Sequence, residues 1–134
     1  MEAAAPSPPD GLARTAAIGI AAGRIAIGLG ALVATRPALD ALGFEDPHPA
    51  TVVLARMAGV RDVAMGLHAL AVRDDAGRLR EASVLGAVVD AGDAYAFGSA
   101  FARREGMDAA ALKSLPLAGA AVVAGAWVAS RLRG

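Results

Sequence analysis

Residues 56–66 read R-M-A-G-V-R-D-V-A-M-G, and they set Arg56, Arg61 and Asp62 in the middle of a run, residues 51–72, that is otherwise apolar. A helix needs about 20 residues to cross the hydrocarbon of a bilayer, and this run is long enough. An ion held at that depth requires an opposite charge close by. The flanking apolar runs supply the candidates, Arg24 before it and Asp90 and Asp93 after it. The expectation is an all-α protein, a four-helix transmembrane bundle running up-down-up-down, with a charged centre.

Composition agrees with that expectation. Of 134 residues, 56% are apolar and 19% charged, and the mean hydropathy is +0.50, greasy for a water-soluble domain of this size. Lys plus Arg equals Asp plus Glu, so no basic surface suggests nucleic acid as a partner. Without cysteine there is no disulfide, thiolate nucleophile or cysteine-bound metal. His48 and His68 are the only histidines, so neither a metal nor another cofactor is expected.

Read in order, residues 1–14 are rich in Pro, Ser, Asp and Gly and are expected to form a flexible tail. They lack the basic start of a secretory signal, so no cleaved leader is expected. Residues 15–134 form one domain with spans at about 15–35, 51–72, 82–102 and 114–130. In the first span Gly19 and Gly23 offer a face small enough for close helix contact, as do Ala121 and Gly125 in the fourth. Arg36-Pro37 should end the first helix, and residues 36–50 read as an exposed loop with an interfacial turn at 39–44. Residues 73–81 are polar and short, which makes the second and third spans antiparallel neighbours. Outside the spans, six Lys or Arg fall on the side of the two termini and four on the other. That bias gives a multi-pass protein of the cell membrane with both termini in the cytoplasm.

A short repeat bears on the charges. Residues 24–32, R-I-A-I-G-L-G-A-L, align with residues 62–70, D-V-A-M-G-L-H-A-L, at a constant offset of 38. The two copies run in opposite directions, an arrangement that brings equivalent positions to a shared midplane site. Arg24, Arg61, Asp62, Asp90 and Asp93 all fall near the middle of their spans. Unpaired, each would cost about 2.5–3.5 kcal/mol in the bilayer centre, so they are expected to pair. Arg24, Arg56 and Arg61 against Asp62, Asp90 and Asp93 make a neutral set.

Such a set can lock three helices in register, or it can be a site. As a site, Asp90 and Asp93, three apart on one helix face, would carry a proton with Asp62 beside them. Arg24 and Arg61 would bind an anionic or carbonyl oxygen, with Arg56 toward the loop of His48. His68 and Tyr95 complete the candidate binding residues, although a packed histidine and an interfacial aromatic are equally consistent with their positions.

These residues carry a resemblance. An early R-x-x-x-G (Arg24, Gly28), R-P (Arg36, Pro37), R-x-x-G-x-R-D-x-x-x-G (Arg56, Gly59, Arg61, Asp62, Gly66) and D-x-x-D (Asp90, Asp93) make the chain similar to small bacterial membrane proteins grouped as domain of unknown function 4267. The resemblance implies four helical spans and carries no activity with it. The expected function is an integral membrane protein with an intramembrane Arg/Asp site, an acid/base enzyme or binder for a lipophilic small molecule. A proton-coupled carrier and a non-catalytic subunit or scaffold are the alternatives. The expected partners are the lipid bilayer, that small molecule and further copies of the chain.

Overall fold

The computed structural model describes residues 8–132, and among them the chain is all-α: α1 (Pro8–Val33), α2 (Thr35–Ala41), α3 (Pro49–Ala71), α4 (Ala76–Ala102) and α5 (Asp108–Arg131). The four long helices alternate in direction around a ring in the order α1, α3, α4, α5. Two of them, over Gly11–Val33 and Asp108–Arg131, are long and apolar enough to cross a membrane. In α3 and α4 the charges interrupt that character.

Every long helix starts earlier than its apolar run, because hydropathy marks what sits in hydrocarbon whereas helix propensity and caps mark where the backbone turns. The helix α1 begins at Pro8, so residues 8–14 of the expected flexible tail are helical; residues 1–7 lie outside the described residues. Prolines are tolerated there because first-turn N–H groups have no intrahelical acceptor. The expected turn at 73–81 is much shorter. Asp75 caps α4 by accepting from the Arg78 N–H at 3.0 Å, and A-G-R-L-R-E continues as helix. Likewise α5 starts at Asp108 rather than 114, with an acidic residue at the positive helix end. His48 caps α3, its Nδ1 accepting from the Ala50 N–H at 3.2 Å, with Pro49 as the first helical residue. The loop expected at 36–50 contains α2, with Pro37 inside its first turn and Leu39 buried. Gly43, at φ +87°, brings the chain within 3.0 Å of the Ala109 backbone, measured from where its Cβ would stand.

On each helix the buried residues recur on one face, strictly seven apart on α3 and mostly three, four or seven apart on the others. Ala13, Ala17, Ala21 and Gly28 are buried on α1; Val52, Gly59 and Gly66 on α3; Leu79, Gly86, Asp90 and Ala100 on α4; Ala111, Ser114, Gly125, Val128 and Ala129 on α5. Most of these residues are Gly, Ala or Ser, so the helices approach closely. A Cβ on Gly28 would lie 2.6 Å from the Gly59 oxygen, one on Gly59 2.8 Å from the Gly28 oxygen, and one on Gly66 2.6 Å from the Ala21 oxygen. No side chain fits at those three positions. Gly125 makes the corresponding approach of α5 to α4, beside Ala87 and Ser83, so it serves a contact within the chain. Gly19 and Gly23 have nothing within 4 Å, and the close face of α1 is the one through Gly28 instead.

The pairs α1/α3 and α4/α5 are each tightly packed, while α3 and α4, adjacent in the ring, approach at few positions. One end of the bundle is closed by an apolar plug of Ala13, Ala17, Val72, Leu79, Val128 and Leu132. The outside is apolar along much of its height: Ile27, Leu29 and Val33 on α1, Val53, Leu54, Met57 and Val60 on α3, Val84, Leu85 and Val88 on α4 and Leu117 and Val123 on α5 all stand exposed.

Candidate functional site: an Arg/Asp network between the helix pairs

Arg24 occupies the inner stripe of α1 between Ala21 and Gly28, where its side chain reaches across the bundle axis. Its Nη1 donates to Asp62 Oδ1 on α3 at 3.3 Å, and its Nη2 donates to the Asp90 carboxylate and, at 3.3 Å, to the Gly86 carbonyl on α4. Gly86 makes this possible, since a Cβ there would stand 3.2 Å from Nη2. One guanidinium thereby ties three helices together. The side chains of Arg24, Asp62 and Asp90 are 14%, 16% and 10% exposed, so this is the inner part of the network.

The outer part spans α3 and α4. Arg61 and Asp93 form a two-pronged pair, Nη1 to Oδ1 at 3.1 Å and Nη2 to Oδ2 at 2.8 Å, the planar geometry that suits a guanidinium and a carboxylate. Nη2 also reaches Asp62 Oδ1 at 3.4 Å, which joins the two parts through one shared carboxylate oxygen. Arg61 and Asp93 are 36% and 38% exposed, so the pair stands at the mouth of the α3–α4 fissure, the seam along which those two helices approach at few positions. The Arg61 Nε–H is buried and has no acceptor among the described residues.

Five of the eight expected site residues therefore meet: Arg24, Arg61, Asp62, Asp90 and Asp93. The other three do not. Arg56 points elsewhere, its Nε donating to Thr35 Oγ1 at 3.2 Å, because it lies five residues from Arg61 and so on a different face of α3. Tyr95 is 73% exposed on the outer face of α4, and His68 is exposed on α3 with no side-chain hydrogen bond among the described residues. Losing Arg56 changes the charge of the set. The network holds three carboxylates and two guanidiniums, so it is one positive charge short of neutral. Among the described residues no group of three or more His, Asp or Glu is placed to hold a metal ion.

Sequence reading missed Gly86 and Thr35. The first has a visible signal, since Gly86 and Asp90 are four apart and share the helix face that Arg24 meets. Thr35 has none, because its role depends on how α1 ends. A cavity of about 30 Å³ lies against Arg24 and Asp90, walled by Ala17, Ala21, Ala82 and Gly125, with room for one or two waters.

No family model matches the sequence, and neither a curated protein nor a solved structure matches it.

Proposed function

We propose that the chain is a multi-pass protein of the cell membrane, spanning it four times with both termini in the cytoplasm, whose buried network binds and exchanges a proton for a lipophilic small molecule. The membrane part of this reading is supported by the many large apolar side chains on the outside, set against an inside that, apart from the apolar plug at one end, holds mostly ions and small residues. In hydrocarbon, the uncompensated carboxylate asks for one further positive charge, and a proton supplies it with the least rearrangement.

The observation that carries the ligand part is the Arg61 Nε–H, a buried donor without an acceptor at the mouth of the α3–α4 fissure. An unpaired buried donor costs about 1–3 kcal/mol, which an incoming oxygen would recover. Once the partly exposed Arg61 side chain swings outward, an anionic or carbonyl oxygen arriving laterally from the bilayer would meet that N–H, beside the Asp93 and Asp62 carboxylates that accept from the same guanidinium and would hand over or accept the proton. The 30 Å³ cavity beside Arg24 and Asp90 is not lined by Arg61 and is too small for a drug-sized body, so the ligand's apolar part would remain outside it, along the α3–α4 seam and in the surrounding lipid.

Two measurements test the reading. Infrared spectra of the purified protein in lipid should contain the carbonyl band of a protonated carboxylic acid, lost on Asp90→Asn or Asp62→Asn; a spectrum without that band removes the proton. Oleate, as a probe carboxylate, should raise the thermal midpoint of the wild type and not of Arg61→Lys, which keeps the charge and lacks the Nε–H. An equal rise in both removes the ligand role of Arg61.

A proton-coupled carrier is a second reading, favoured by one observation. The Arg24 to Asp62 hydrogen bond joins the equivalent positions of the two inverted segments, 38 residues apart. Proton flux into liposomes that persists in an Asp90→Asn/Asp93→Asn double variant would count against it.

A further inference from the structure

On the far side of α4 from the fissure, an open groove of about 390 Å³ runs along the seam with α5. Val84, Val88, Ala91, Ala126 and Ala129 line it, and Arg80 stands at one end. From Arg80 to Ala91 is 11 residues, about 16 Å of helix. That is close to half of the roughly 30 Å hydrocarbon thickness, the depth of one leaflet. Ala91 adjoins Asp90, so the groove ends at the height of the charged network.

Its two ends differ in polarity as the two ends of a lipid do. The Arg80 Nε donates to the Ala129 carbonyl at 3.1 Å, which fixes the side chain over the groove mouth. Its terminal nitrogens have no carboxylate partner among the described residues. Arg14, Arg73, Arg78 and Arg131 belong to the same end of the bundle, where α1 and α4 begin and α3 and α5 finish, and together with Arg80 they outnumber the acidic residues described there, among them Asp74, Asp75 and Glu81, of which Asp74 pairs with Arg73. An apolar channel one leaflet deep, headed by a guanidinium free to bind an anion, has the dimensions and charge of a phospholipid site.

We propose that this groove seats one acyl chain of an anionic phospholipid, with the phosphate on the Arg80 guanidinium. The inference rests on the membrane reading given above, and the cytoplasmic placement of the Arg80 end agrees with it, since anionic lipid is enriched in that leaflet.

The test is native mass spectrometry of the protein released from nanodiscs containing phosphatidylglycerol and phosphatidylcholine in equal amounts. Wild type should retain phosphatidylglycerol in preference, and Arg80→Gln should lower that preference about five-fold, the loss expected for one basic group at a membrane surface. Ala126→Trp fills the groove and leaves Arg80 in place; it should reduce retention of both lipids. Unchanged retention in either variant overturns the site. A disulfide-linked dimer formed by Ala126→Cys in native membranes also overturns it, by putting a second copy in the groove. Carbonate extraction separates the two levels of the argument. A wild-type chain that leaves the membrane fraction removes the membrane reading and the groove together, whereas one that stays, with lipid preference unaffected by Arg80→Gln, removes the groove alone.

Discussion

The helix α3 has a different seam on each side. Toward α1, Gly59 and Gly66 meet Gly28 and Ala21 backbone to backbone, and the contact is strong because nothing but hydrogen separates the chains. Toward α4 the backbones stand apart, and Arg61 and Asp93 bridge the distance with two hydrogen bonds. Dispersion contacts at close range tolerate no change of spacing, whereas a pair of long, one-third exposed side chains tolerates a good deal. The glycine seam therefore makes α1 and α3 one rigid body. Along the middle of the bundle the α4/α5 pair is attached to it through Arg24 at depth and through Arg61 at the mouth, and at one end through the apolar plug of Ala13, Ala17, Leu79 and Val128.

The largest effect should come from cutting the deep attachment. Arg24→Met leaves Asp62 and Asp90 buried without the guanidinium that both share, and should destabilise the protein by about 3–5 kcal/mol in reversible unfolding from mixed micelles. A loss below about 1 kcal/mol would mean that the apolar plug, and not this network, holds the two helix pairs together. Next comes the glycine seam. Gly66→Leu drives a side chain into the Ala21 carbonyl and the Ile25 side chain, and overpacking of this kind costs about 1–3 kcal/mol. Gly19→Leu, where nothing lies within 4 Å, should stay within about 0.5 kcal/mol. Equal losses at the two glycines would dissolve the distinction between the faces of α1.

Much of this architecture was legible in the sequence, for identifiable reasons. Ionic residues in long apolar runs are expensive unless paired, so Arg24, Arg61, Asp62, Asp90 and Asp93 declared one another without any geometry. Arg56 did not, because it stands five residues from Arg61, off the shared depth and on another face of α3, where it meets Thr35. The glycine contacts went astray for a related reason. Gly19 and Gly23 match the spacing of a packing motif, but spacing cannot say which face of α1 is turned inward. The burial of Arg24 does say so, and Gly28 lies four residues beyond it on the same face. Helix ends were misread wherever capping extended a helix past its apolar run, as Asp75 does for α4.

The smallest stability effect with the largest consequence for motion belongs to the mouth. Arg61→Gln removes both prongs of the bridge to Asp93, yet side chains exposed by more than a third are well screened, so the loss should be about 1 kcal/mol or less. The inner trio would persist, and the fold with it. What changes is the freedom of α4 to move away from α3, since no close backbone packing takes over there. Amide exchange along the middle of α4 should then quicken while that of α1 and α3, locked at Gly28, Gly59 and Gly66, stays as it was. Tyr95→Phe, on the outer face of the same helix, should alter neither. If Arg61→Gln speeds exchange in α1 and α3 as much as in α4, the two seams are mechanically alike and the fissure is not a place where the bundle opens.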